Sequence, residues 1–386
     1  MLAVLAVLVL VLSACSSNSG NGDSSSGGNS SNSSGGASAG NTGENAGDSG
    51  DADDPLKVVL LIPGNLGDKS FLDSANRGLE LIKSELGAET KVIEMGTDQT
   101  KWQPIYEDVA NQDWDIIIGG NTTSAEYFYA VAEQHPDKRF IDFDTEFTEI
   151  PDNVYALSYK INDATFLAGA AAALVSVSDL PGADEDPVIG FIGGLDVPGI
   201  NTFLVGYIEG AQYVVPDVKV ITSYAGTFTD PAKGKELALV QYNAGADVIF
   251  GAAGGTGLGI FDAAKEKGKY AIGVDSDQAV ILNETDPDKA ALVITSAMKN
   301  VDQAILQAVR RFGEGTLPFG TVEQLGFAEG GVGIAKNEFY DALMTDEMKA
   351  KMDEIEGKLM SGEIVVSNAM GMETSEVEAI RNAVAP

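Results

Sequence analysis

Lys57-Val-Val-Leu-Leu-Ile62 is a continuous apolar run of strand length; a glycine-containing loop follows it, and then Ser70 to Leu86, where apolar residues recur at helical spacing. The order strand, loop, helix decides the fold because it repeats. Further apolar runs stand at Lys91 to Met95, Asp115 to Ile118 and Phe140 to Asp144, each separated from the next by a helical segment. Such a series predicts a parallel sheet with helices on both faces. A second series opens at Val188-Ile-Gly-Phe-Ile192 and continues through Val218 to Tyr224, Asp247 to Phe250 and Tyr270 to Val274. Helices are predicted between these runs, near Asn201 to Tyr213, Pro231 to Asn243 and Gly257 to Lys267. Two α/β lobes therefore follow one another. Ligands of open α/β sheets bind at the carboxyl ends of the strands, so two facing lobes form a cleft that closes on a small molecule by hinge motion.

Before the first strand the chain has a different character. Met1 to Leu12 is almost wholly Leu, Val and Ala, too short to span about 30 Å of hydrocarbon but of signal-peptide length. The run ends in Leu12-Ser13-Ala14-Cys15, which resembles a bacterial lipobox, so residues 1–14 are expected to be a lipoprotein signal and Cys15 the lipidated N-terminus anchoring the chain to a membrane. No Lys or Arg precedes the apolar run, and a start upstream of Met1 stays open. Residues 15–55 consist mostly of Ser, Gly, Asn and Asp and cannot bury a core. As a flexible tether they hold the folded part roughly 35 Å from its anchor.

Composition narrows the function. There are 58 acidic and 24 basic residues, a formal net charge of -34, which disfavours nucleic acid and anionic lipid as partners. Cys15 is the single cysteine, so no disulfide framework is available. The single histidine, His135, precedes a proline at a predicted helix end, where it is expected to cap the last carbonyls. Nothing is set out at a catalytic spacing, and neither a metal nor another cofactor is expected. Trp102 and Trp114 are read as packing residues, with Trp102 an alternative cleft residue. A two-lobed transcriptional repressor would need a helix-turn-helix head, and a signal and tether stand in its place.

Gly67-Asp-Lys-Ser-Phe71, Ala252-Ala-Gly-Gly-Thr-Gly-Leu-Gly259, Ile272-Gly-Val-Asp-Ser-Asp-Gln278 and the tail Ile355 to Val366 occur in the order seen in the basic membrane protein family. The chain resembles these receptors, lipoprotein components of ABC importers similar to the purine nucleoside receptor, from Leu56 to its end. The resemblance implies a type I periplasmic-binding-protein fold, with a first lobe of 56–160 plus about 285–325 and a second of 161–284 plus about 326–386. It also implies a nucleoside ligand, an ABC permease and its ATPase as partners, an extracytoplasmic location, and a chain that can work as a monomer. A same-fold receptor for a sugar or other polar solute, or a surface ligand sensor, remains an alternative.

The resemblance assigns site residues. Phe71 and Phe203 match two aromatics that sandwich a base, each contact supplying about 1–3 kcal/mol; the alternative is that both are core side chains. Asp275, at the carboxyl end of an apolar run, matches an acid that accepts from both ribose hydroxyls, with Asp277 its rival. Lys299 is expected to donate to the sugar and balance that buried charge. Gly254 and Gly255 let backbone amides approach the ligand, although a tight turn would equally need them. Asp144 matches an acid on the base, with Asp142 the alternative, and Asp68 a loop acid at the cleft. Leu72 stands where many purine nucleoside receptors carry a base-reading Asn, which leaves the base open, and Asn121 with Thr122 is expected to supply substitute polar contacts.

Overall fold

The computed structural model describes residues 54–184 and 186–386. The expected signal, Cys15 and the tether up to Asp53 lie outside the described residues. The chain begins with β1 (Lys57–Ile62), α1 (Phe71–Leu86), β2 (Glu89–Glu94), α2 (Trp102–Ala110), β3 (Ile116–Gly119), α3 (Ala125–Gln134), β4 (Phe140–Asp142) and β5 (Val154–Tyr159). It then crosses to a second lobe with α4 (Ile161–Ser176), β6 (Val188–Gly193), α5 (Pro198–Val214), β7 (Lys219–Tyr224), α6 (Pro231–Asn243), β8 (Val248–Ala252), α7 (Leu258–Lys267), β9 (Tyr270–Asp275), α8 (Gln278–Asn283), α9 (Pro287–Ala290) and β10 (Val293–Lys299). The first lobe is completed by α10 (Val301–Gly313) and β11 (Thr321–Leu325). The second is completed by β12 (Val332–Ile334), α11 (Glu338–Leu343), α12 (Asp346–Met360) and α13 (Thr374–Val384).

Each lobe holds a six-stranded sheet, ordered β11-β5-β4-β3-β1-β2 in the first and β12-β10-β9-β8-β6-β7 in the second. Every pairing is parallel except β10 with β12. Val58 to Ile62 of β1 and all of β3, β8 and β9 are buried. Helices cover both sheet faces, which is why these strands read as continuous apolar runs and not as alternating ones.

Three crossovers join the lobes, after Tyr159, after Lys299 and between Leu325 and Val332. The expected first-lobe return near residue 285 therefore begins later, at Val301. The chain leaving α9 meets the free edge of β9 and pairs there as β10, with Ala297 opposite Val274 and Met298 opposite Asp275; consecutive strands usually neighbour one another.

Some elements carry only a weak periodic signal. Helix α4 is buried on nearly every face, so no polar stripe marks it as a helix. It lies flush against α5 because Gly169 and Gly210 have no side chain: a Cβ at either would overlap the carbonyl of Tyr207 or Phe166. Short, largely polar β11 and three-residue β12 resemble loop in sequence. Among the described residues no helix is long and apolar enough to cross a membrane.

Candidate functional site

The carboxyl ends of both sheets face each other across a gap, and Lys299 stands in it. As the last residue of β10, just before a crossover, it is only 6% exposed. Its Nζ lies 5.3 Å from the ring centroids of Phe71, Tyr159 and Phe203. It also donates to Asp144 Oδ2 at 2.8 Å. Phe71 opens α1 in the first lobe and leans on Phe143, with centroids 5.4 Å apart. Phe203 lies in the second turn of α5 and is 6% exposed. One cation thus gathers an aromatic ring from each lobe, a tyrosine at the hinge and a first-lobe acid.

Asp275 ends β9 with φ 62°, a left-handed conformation unfavourable to a non-glycine residue. Its Oδ2 accepts from Ser70 Oγ of the opposite lobe at 2.6 Å. Burial pushes this carboxyl up to about 6, while the Lys299 ammonium and the Ser70 hydroxyl pull it back. The other positive-φ non-glycine residues among those described are Lys69 and Asn121, also in loops at strand carboxyl ends. The lobes meet further where Arg77 donates to Ser276 Oγ at 2.8 Å and where Gln278 donates to the Lys69 carbonyl at 3.1 Å.

The first-lobe loops hold themselves together. Asp68 accepts the backbone N–H of Ser70, Leu72 and Asp73 at 3.0, 2.9 and 3.1 Å and so caps α1. Burial raises its pKa against those three donors. Asp142, with no exposed surface, accepts from Tyr129 Oη at 2.7 Å, the Asn121 amide at 3.1 Å and the Asp144 amide at 3.0 Å. Burial drives it to about 7. Asn121 turns its Oδ1 onto Thr123 N and Oγ1, both at 2.9 Å, and onto Ser124 N at 3.2 Å, at the start of α3.

Several expectations change. Strand β4 ends at Asp142, so Asp142 is a buried brace beneath the loops, and Asp144, two residues on, is the acid that reaches Lys299. Asp68 is at the gap, its Cβ 3.8 Å from the point where a Cβ of Gly255 would stand, but its oxygens are taken by its own helix. Asn121 likewise has its carbonyl occupied by its turn. Leu72 points back to the loop after β1, against Gly64. Gly254 has φ 52° and opens a short turn packed on Phe228, and Gly255 faces the opposite lobe. Asp277 caps α8 and binds Asn337. His135 caps α3 through its backbone N–H, while its ring bonds Glu107 of α2. Trp102 is a packing residue, its indole N–H on the Gly96 carbonyl at 2.8 Å.

With this geometry established, likeness to known proteins becomes informative. Residues 56–369 match the Bmp family, described as ABC transporter substrate-binding protein PnrA-like. This chain belongs to the Bmp family. It is 31% identical to the ABC transporter nucleoside-binding protein BmpA of Lactococcus lactis subsp. cremoris, over 79% of this chain and 88% of that one. It is 30% identical to basic membrane protein A of Borreliella burgdorferi, over 80% and 87% of the respective chains. The crystal structure of a solute-binding protein of an ABC transporter system from Aeropyrum pernix K1 shares the fold at TM-score 0.75 and 25% identity, over 86% of this chain and 100% of that one. As a Bmp-family substrate-binding protein, the chain binds a small solute for an importer's permease and ATPase, a role of capture and not of catalysis.

Ser70 and Tyr159 also line this gap, and Glu146 lies near it, without a signal in the sequence. Ser70 stands at the start of the helical run in the sequence, and its bond to Asp275 joins positions 205 apart. Tyr159 ends β5, and only recognition of Val154-Tyr-Ala-Leu-Ser-Tyr159 as a strand would have put it beside Lys299. Glu146 lies beyond β4 in an acidic stretch with no periodic signal.

Proposed function

We propose that this chain is an extracytoplasmic, lipid-anchored receptor that captures a nucleoside, a purine nucleoside best of all, between its lobes and delivers it to an ABC permease. The observation that carries this reading is the meeting of Phe71 and Phe203, one from each lobe, at a common point 5.3 Å from each ring centroid. A planar base at that point stacks on both rings, since stacked aromatics lie about 4.5–7 Å apart between centroids. The Lys299 ammonium, on its flexible stem, moves aside toward the sugar, where Asp275 accepts from the ribose hydroxyls. Asp144 then faces the base edge. The Lactococcus lactis relative, named a nucleoside-binding protein, supports the same ligand class. Because a single chain supplies both walls, a monomer suffices. Lipid attachment at Cys15 rests on Leu12-Ser-Ala-Cys15 alone.

The test is mass spectrometry of small molecules released from freshly purified protein. A nucleoside recovered at a stoichiometric level is the expected result. Recovery of a free sugar in its place would replace this proposal with the same-fold sugar receptor.

A further inference from the structure

Glu146 and Gly199 meet where the two lobes come together. Glu146 follows β4 in the first lobe, and Gly199 is the second residue of α5 in the other. Glu146 Oε1 is buried and has no hydrogen-bond partner. It stands so close to Gly199 that a Cβ at 199 would overlap it, and Thr122 Cγ2 lies 3.8 Å from the same point. Gly199 does not have positive φ, so its backbone gives no reason for glycine, and alanine is the better helix former. The contact across the lobes does give a reason.

We propose that Glu146 is a positioning residue for the captured solute: it seats on Gly199 when the lobes are shut, and the missing side chain at 199 is what admits it. Elsewhere the lobes are joined by hydrogen bonds, Ser70 to Asp275 and Arg77 to Ser276, whose donors and acceptors find water when the lobes part. Glu146 Oε1 has no such bond to exchange, so it acts by shape. It sets how closely the lobes approach, and through that the spacing of the Phe71 and Phe203 rings. The seat at the first turn of α5 also suits a carboxylate, because the helix dipole favours negative charge there. The inference rests on capture between the lobes, whichever solute is captured.

The test is a cycle of Gly199→Ala, Glu146→Ala and the double variant in the full chain. The lobe separation is read between spin labels on Asp137→Cys and Val240→Cys, and affinity is read with adenosine as the probe. Gly199→Ala is expected to lengthen the label distance and weaken adenosine binding about tenfold, without lowering the melting temperature. Adding Glu146→Ala should bring both readouts back toward the parent. An unchanged label distance in Gly199→Ala, or a double variant no better than Gly199→Ala alone, would overturn the proposal. If the parent chain does not bind adenosine, that outcome counts against the nucleoside reading, while the label distances still decide the role of Glu146.

Discussion

Asp68, in the loop between β1 and α1 of the first lobe, and Asp275, at the end of β9 in the second, are both buried acids at the carboxyl side of a strand, yet their surroundings differ. Asp68 takes the N–H groups of Ser70 and of Leu72 and Asp73 in the first turn of α1. Asp275 takes one hydroxyl, and that comes from the opposite lobe. Position in a motif does not separate a carboxylate that builds a loop from one that is available to a ligand; the donors around it do. The contrast ties Asp68 to its own loop and leaves Asp275, on the proposed reading, to the ligand, and it can be broken by experiment.

The largest effect belongs to Asp68→Ala, which leaves buried N–H groups of α1 without acceptors and should destabilise the protein by about 2–4 kcal/mol in denaturant unfolding. Asp275→Asn should shift stability by less than about 1 kcal/mol while weakening nucleoside binding by about 1.5–3 kcal/mol in calorimetry. Equal stability losses in the two variants would remove the distinction.

Phe203→Leu comes next. It keeps an apolar side chain in the core and removes the ring, and it should weaken nucleoside binding by about 1–3 kcal/mol. Binding unchanged in this variant would make Phe203 a core residue only.

Acid pH sharpens the comparison further. Asp275 titrates near 6, so lowering the pH from 7 to 5 protonates it, removes an acceptor from the sugar and should weaken binding. Stability runs the other way. Asp142 and Asp275 have folded-state pKa values of about 7 and about 6, above the ordinary value of 3.8, so the folded state holds more protons between those limits. Their contribution to stability therefore falls as pH rises from about 4 to about 7. Asp142→Asn should flatten that fall in thermal melts, and a slope identical to the parent's would show that Asp142 does not titrate there.

The smallest effect is expected from Asn121→Ala. Loss of its turn bonds should lower stability by about 1 kcal/mol and leave the ranking of nucleosides untouched. A changed ranking would return Asn121 to the base site.

How much of this was legible in the sequence follows from periodicity. Strands such as Val58 to Ile62 and amphipathic helices such as α1 carry their own signal, and they sufficed for two parallel-sheet lobes. Helix α4 did not announce itself, because a helix buried on all sides has no pattern to read. Strand β10 and the crossover that follows Lys299 are not marked by the periodicity either. Phe71, Phe203, Asp144 and Lys299 are expected at the ligand from motif likeness, and in the structure the two rings and Asp144 surround Lys299. Ser70, Tyr159 and Glu146 each meet residues of distant segments, and one chain read alone does not reveal such pairs. For Asp68 and Asn121 the sequence shows that a polar side chain exists, not that N–H groups of its own loop already hold it.

Titration calorimetry with adenosine, guanosine, inosine, uridine and free ribose tests the central claim most directly. The account predicts nucleoside binding at micromolar or tighter affinity, worth about 8 kcal/mol, with free ribose bound far more weakly because it has no ring to stack. Ribose bound as tightly as any nucleoside would contradict it.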